Sequence, residues 1–288
     1  MRFTIVLLLL LVTSVGVDAQ TPSPEPTPSP ATTGISLAPA RFELEMLPGS
    51  ETTVVVNLDY HTTAQTSQPV RIVASLNDWT IDRDGQVRFE KANTLPNSAS
   101  SWLIHSPAET MVIPGTLHAI RVTISVPKDA TPGDHLTALI VEQRPDTIKL
   151  NQTRRQVVIR YRMAAVFYIK VPQLHRQGSL ESLRAEAAED QVTVTPLLKN
   201  AGNSVIRPLT SLKITNSSGA SIAELPQKES IPLLGNSELL QPLVVDARLS
   251  PGTYNVKYRV DFQDGNRPTE GITELVVKER QMGQPAPN

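Results

Sequence analysis

Six cations gather between positions 144 and 162: Arg144, Lys149, Arg154, Arg155, Arg160 and Arg162, opposed over the same span only by Asp146. Guanidinium groups hold carboxylates through short, charge-assisted N–H bonds, often in pairs. The run can therefore act as a cationic ledge for an acidic group or for the terminal carboxylate of another chain. The same residues also suit a solvated loop that leads into an edge strand guarded by charge.

The other residues with chemical potential do not assemble. The histidines are His61, His105, His118, His135 and His175, with no i, i+4 pair and no carboxylate at metal-ligand spacing. "IDRDGQVRF", from Ile81, resembles a calcium loop, but with Gly85 at the sixth position the first and twelfth ligands would be Thr80 and Lys91. It reads instead as a two-residue hairpin turn at Asp84-Gly85, a device repeated at Asp264-Gly265. There is no G-x-S-x-G, no phosphate-binding glycine loop and no H-E-x-x-H. No enzyme, metal or cofactor is expected. "NQT" at Asn151 and "NSS" at Asn216 are glycosylation sequons only in a host that uses them.

The element that carries the ledge is "RRQVVIRYRMAAVFYIKV", residues 154–171, which reads as one uninterrupted β-strand. One parity (Val157, Ile159, Tyr161, Met163, Ala165, Phe167, Ile169, Val171) is apolar throughout. The other begins with Gln156, Arg160 and Arg162 and turns apolar at Ala164, Val166 and Tyr168. A strand with one wet face alternates cleanly. The switch predicts a second domain covering the C-terminal half, with residues 156–162 left as an exposed edge open to strand addition.

Composition narrows the setting. Residues 1–19 read as a secretory signal peptide: Arg2, an apolar run at 5–12 far short of a spanning helix, and small residues at Val17 and Ala19 before a cut at Gln20. The mature chain is expected to be exported, periplasmic or secreted, with no membrane segment after cleavage. Cysteine is absent, which excludes disulfides, thiol catalysis and lipidation at an N-terminal Cys. A net charge of −1 argues against nucleic acid, and 4% aromatics leave little for a stacking platform. Proline at every second position from Pro22 to Pro30 makes residues 20–34 an extended spacer, and residues 281–288 look like a frayed tail.

Between these ends, short alternating runs separated by Gly and Pro turns predict an all-β chain. The expected fold is two immunoglobulin-like β-sandwich domains in tandem: residues 35–172, a linker at 173–179, and residues 180–280. Only "SLESLRAEAAED", from Ser179, has a helix-like composition, and it suits a linker or strand lead-in equally well. An internal repeat supports the pairing. "IPGTLHAIRVTISVPKDATPGDHLTALIVEQ" from Ile113 and "LLGNSELLQPLVVDARLSPGTYNVKYRVDF" from Leu233 share a Gly turn, a strand, a Pro-Gly turn and a second strand, read as the same hairpin in each domain. "LSPGTY" also resembles the corner where a Tyr hydroxyl bonds nearby backbone, and His135 holds the matching place in the first domain.

This order of features resembles the periplasmic (PapD-like) chaperones of pilus assembly and, more broadly, bacterial surface proteins with paired immunoglobulin-like domains. The resemblance is carried by "ISLAPARFELEMLPGS" from Ile35, "VVIRYRMAAVFYIKVP" from Val157 and "PLLKNAGNSVIRP" from Pro196. It spans essentially the whole mature chain at the level of fold pattern. It implies that the long strand lends apolar side chains to an incomplete subunit. It also implies that an Arg on the first strand and a Lys on the long strand hold the subunit's C-terminal carboxylate. Arg41 in "PARFEL" matches the Arg. No lysine stands at the Lys position, which falls at Ala165 or a neighbour; Arg160 or Arg162 would have to substitute. The partner-binding residues expected are thus Arg41, Val158, Arg160 and Arg162. The expected function is non-enzymatic binding of other exported polypeptides, such as pilus or surface-structure subunits, as a chaperone or assembly factor. The alternative is a structural or adhesive module at the cell surface.

Overall fold

Alternating apolar residues build two β-sandwiches in sequence. The structure is a computed structural model that describes residues 33–62, 68–144, 160–188 and 190–278. The first sandwich uses β1 (Thr33–Ala38), β2 (Arg41–Glu45), β3 (Glu51–Thr62), β4 (Val70–Ile81), β5 (Val87–Lys91), β6 (Leu103–Ser106), β7 (Glu109–Val112), β8 (Leu117–Ser125), β9 (Gly133–Gln143) and β10 (Arg162–Val171). One sheet runs β1-β3-β8-β6. The other runs β2-β10-β9-β4-β5, with β7 also on β4. The opening stretch changes sheets at Pro39-Ala40: β1 pairs antiparallel with β3, whereas β2 pairs parallel with β10. Phe42, Val56, Leu58, Ile120, Ile124, Leu139, Phe167 and Ile169 fill the space between the sheets, and Phe42 stacks on Phe167 with centroids 4.7 Å apart.

The second sandwich uses β11 (Gly178–Ala187), β12 (Gln191–Asn200), β13 (Leu209–Asn216), β14 (Ser221–Glu229), β15 (Ser237–Leu240), β16 (Leu243–Asp246), β17 (Gly252–Asp261) and β18 (Thr269–Val277). β12 is flanked by β11 and by β15 and β16, facing a sheet ordered β14-β13-β17-β18. Its core holds Val194, Leu198, Leu212, Val256 and Tyr258. The chain is thus all-β, two tandem immunoglobulin-like sandwiches.

One open reading is decided and three expectations are corrected. The helix-like residues from Ser179 form β11, an outer strand on β12. A bulge between Leu180 and Ser182 puts both Leu180 and Leu183 against the core, so a helical-looking spacing arises from a kinked strand. The long strand covers 162–171 among the described residues; Tyr161 precedes it, and residues 154–159, with Val158, lie outside them. The repeated unit is not a hairpin, because β8 and β9 lie in opposite sheets, as do β15/β16 and β17. The Pro-Gly segment between them crosses from one sheet to the other. Finally, the β4–β5 turn has three residues, not two: Asp82 N donates to Gln86 O and Gly85 N to Asp82 O, with Gly85 at φ 80°. This is the type I turn plus left-handed glycine of three-residue loops.

Candidate functional site

β10 is the element on which the site is built. The phase of its hydrogen bonds is fixed by three contacts. Val166 N donates to Ala40 O and Met46 N donates to Lys170 O, so Val166 and Lys170 face β2; Gln143 N donates to Tyr161 O, so Tyr161 faces β9. Backbone groups alternate sides along a strand. Residues 166, 168 and 170 therefore bond to β2, while 163, 165, 167 and 169 bond to β9. Arg162 and Ala164 aim the same outward groups at the place where β2 would continue. β2 does not continue there, because the chain before Arg41 has crossed at Pro39 into the opposite sheet. Among the described residues no strand pairs with this edge. It runs on from exposed Arg160 through Arg162 to Ala164, so it extends further along β10 than the sequence suggested.

The change of face within β10 has a direct cause. Its even-numbered side chains point away from the sandwich interior. Val166 and Tyr168 join Trp79, Leu136, Ala138 and Ile140 in an apolar layer on that outer surface, which Val205 and Leu234 of the second sandwich cover. Trp79 meets Tyr168 edge-on at 5.1 Å. Earlier in the strand Arg162 is exposed, its guanidinium 5.9 Å from the Phe89 ring. The second sandwich thus covers the C-terminal half of the strand.

That cover is fixed by the "NAGNS" turn. Asn200, fully buried, donates to the carbonyls of Ser204, Leu233 and Leu234 and accepts from Gly202 N. Asn203 donates to Pro132 O and Gln173 O and accepts from His175 N. Across the junction Asp134 accepts from Val205 N at 2.6 Å and from Ser204 Oγ at 3.1 Å. Burial pushes the Asp134 carboxyl above its ordinary value, outweighing those hydrogen bonds and the nearby charges of Lys170 and Arg176.

Beside the junction lies a cleft of about 160 Å³ lined by Glu43, Lys170, Arg176, Arg207, Phe262 and Gln263. Lys170 Nζ donates to Glu43 Oε2 at 2.7 Å and Arg207 Nη2 to Glu43 Oε1 at 2.8 Å. Burial would raise the Glu43 carboxyl, but Lys170 and Arg207 together hold it below its ordinary value. Arg207 also lies 5.6 Å from the Tyr168 ring. A cationic cleft between the sandwiches is therefore present, but the chain's own carboxylate already bridges its two inner cations.

The expected site residues fall unevenly. Arg41 is exposed on β2 opposite Val166, its Nε 3.4 Å from Glu43 Oε1. Arg162 shares its sheet face but stands four residues, about 13 Å, further along the strand. Arg160 is exposed just before β10, and Val158 lies outside the described residues. Arg41 and Arg162 thus do not form one clamp. Ala165, at the position expected to replace the cleft lysine, is fully buried in the sandwich core. The lysine of the cleft is Lys170. Sequence reasoning missed Lys170, Glu43 and Arg207; the available signal was a lysine in the apolar half of β10 with a glutamate at the matching face of β2. Among the described residues no group of three or more His, Asp or Glu could hold a metal ion.

No family model matches the sequence, and no curated protein matches it. Solved structures with a similar arrangement include a chain of the chaperone–tip adhesin complex of CFA/I fimbriae, at 12% identity and TM-score 0.43, covering 84% of this chain and 99% of that one. A chain of the CsuC–CsuE chaperone–tip adhesion subunit pre-assembly complex from the archaic Csu pili of Acinetobacter baumannii matches at 16% identity and TM-score 0.40, covering 84% and 97%. The E. coli chaperone DraB matches at 13% and 0.38, covering 83% and 98%.

Proposed function

We propose that this chain is an exported, non-enzymatic binder of other exported polypeptides, a periplasmic chaperone or assembly factor that takes a partner strand along β10 at Arg160, Arg162 and Ala164. The observation that carries the reading is the break in pairing at Ala40. A fully formed internal strand becomes an edge partway along its length, with Arg162 and Ala164 turning their backbone groups outward. An extended segment added there would continue the line of β2, and main-chain bonds would supply affinity without sequence preference. Arg41, Arg160 and Arg162 flank that line and favour acidic or carboxylate-ended segments. Because Glu43 occupies Lys170 and Arg207, the reading places a partner's carboxylate on these outer arginines. The partners proposed are subunits of a surface structure, the class the sequence resemblance implies. The same reading assigns residues 1–19 to a removed signal peptide and 20–34 to a spacer.

The test compares two prolines. Arg162→Pro removes an outward N–H at the first residue of the strand, where proline is tolerated, with Arg162→Ala as the side-chain control. Ala165→Pro removes an N–H aimed at β9. Arg162→Pro is expected to melt within about 2–4 °C of the parent, the equivalent of about 1 kcal/mol, while losing photo-cross-links from position 160 to exported proteins in the native host. Ala165→Pro should destabilise the first sandwich outright. Cross-linking of the same partners by Arg162→Pro at parental yield would overturn strand addition, and a structural or adhesive module would then be the better description.

A further inference from the structure

The other edge of the same sheet is β5, and all five of its residues, Val87 to Lys91, are exposed. Its hydrogen-bond phase is fixed at the turn. Asp82 N donates to Gln86 O, and Asn77 Nδ2 reaches Glu90 O. Gln86, Arg88 and Glu90 therefore turn their backbone groups toward β4, and Val87, Phe89 and Lys91 turn theirs outward. Among the described residues no strand pairs with that side, and only Lys91 O is engaged there, by the Thr94 hydroxyl at 2.6 Å.

We propose that two copies of this chain associate through β5, antiparallel about a two-fold axis at Phe89. In that register Phe89 exchanges both hydrogen bonds with its counterpart, and Val87 O accepts from Lys91 N of the second copy, the Lys91 carbonyl already taking the Thr94 hydroxyl at 2.6 Å. Arg88 then lies opposite Glu90 of the second copy, twice, in the closer non-hydrogen-bonded pairs with Cα atoms about 4.5 Å apart. The sequence selects this register. The neighbouring registers that keep the same backbone groups in use place Arg88 against Arg88 or Glu90 against Glu90, and like charges directly opposite each other are unfavourable. Arg88 bonds Asp82 through Nε at 2.8 Å, which leaves both of its terminal nitrogens for the second copy. Phe89, with Arg162 above it, supplies the apolar centre. The product is a single sheet across both copies with the two β10 edges at its far ends. Self-association therefore leaves both partner edges open and makes a bivalent binder.

A five-residue seam is small, so the dimer is a weak one. Sedimentation velocity of the purified chain should show a reversible monomer–dimer equilibrium. Arg88→Glu should weaken it about tenfold or more, since two attractive pairs become repulsive. Arg88→Glu with Glu90→Arg should restore it, although the exchange does not restore the bond to Asp82. The absence of native cysteine gives a second readout. Phe89→Cys should oxidise to a dimer, because hydrogen-bonded pairs sit about 5.5 Å apart, within disulfide range. Ile272→Cys, exposed on β18, should not. A monomer at all concentrations up to about 1 mM would overturn the proposal. So would a dimer that is indifferent to Arg88→Glu, or one that the charge exchange fails to rescue.

Discussion

The two sandwiches turn the same corner with different residues. In the first, His135 Nε2 donates to Thr131 O at 2.9 Å; in the second, the Tyr254 hydroxyl donates to Ser250 O at 2.9 Å. Each corner carries Pro-Gly, with positive φ at Gly133 and Gly252, and each leads into the central strand of its sheet. Those two strands differ. β17 alternates between buried and exposed residues, whereas β9 is buried at nine consecutive positions. The divergence begins one residue before the aromatic ring. Thr253 faces solvent, while the matching Asp134 is buried and accepts from Ser204 and Val205 of the other sandwich. One corner serves a free-standing sheet, and its copy has become half of a joint.

The comparison breaks most sharply at Asp78. β4 pairs with β9 only as far as Asn77, then peels away into the hairpin that reaches the second sandwich, where Leu240 N donates to Arg83 O. Residues 97–99 take over on β9, exchanging backbone bonds with Leu136. Asp78, fully buried, ties that loop down by accepting from the N–H groups of Asn93, Thr94 and Leu95 and the hydroxyls of Ser98 and Ser100. β13 stays paired with β17 along its whole length and needs no such knot. Asp78→Ala should cost about 3–5 kcal/mol by leaving several buried donors unmatched. Denaturant unfolding monitored by fluorescence of Trp79 and Trp102 should shift, while hydrogen exchange of β13 and β17 should change little.

Acid should separate two aspartates of opposite sign. Burial would raise the Asp78 carboxyl, but the bonds from Leu95, Ser100, Ser98 and Thr94 outweigh it and hold it below the ordinary 3.8. Its contribution is present above that value and lost as pH falls through the lowered one. Asp134 is raised, so its contribution is complete below the ordinary value and lost as pH rises through the raised one. As pH falls from neutrality toward the ordinary 3.8 the parent should therefore gain stability relative to Asp134→Asn. Below the ordinary value it should lose its advantage over Asp78→Asn. Denaturation midpoints of the three proteins across this range provide the check, and parallel curves for the two variants would contradict it. The smallest effect belongs to the corner itself. Tyr254→Phe removes one hydrogen bond and should cost about 1 kcal/mol, read as a small shift in the melt.

Strand positions were legible because apolar alternation has only one reading in a half-buried sheet. β8, β9 and β17 fall inside the two repeated segments, on either side of their Pro-Gly turns. β11 was not legible, since one bulged residue converts a period of two into the spacing of Leu180 and Leu183. The corner at His135 could be seen only because Tyr254 repeats it. The cleft was hidden for another reason. Lys170 in the apolar half of β10 was its one local mark; Glu43 and Arg207 are brought to it by a parallel pairing and by the docking of the second sandwich, which local sequence does not show. Arg41 and Arg162 both lie on the outer face of this sheet, but nothing local in the sequence fixes the distance between them.

The parallel pairing of β2 with β10 also sets an order of events. Arg41 through Glu45 wait for partners more than a hundred residues downstream, at Val166 through Lys170. Closing so long a loop carries a large entropic cost before any contact repays it. As the chain emerges from its N-terminus, β2 has no neighbour until β10 has come out after it. For that interval a Phe42 destined to stack on Phe167 is bare. A protein proposed to shelter the unfinished strands of others passes through its own unfinished state first.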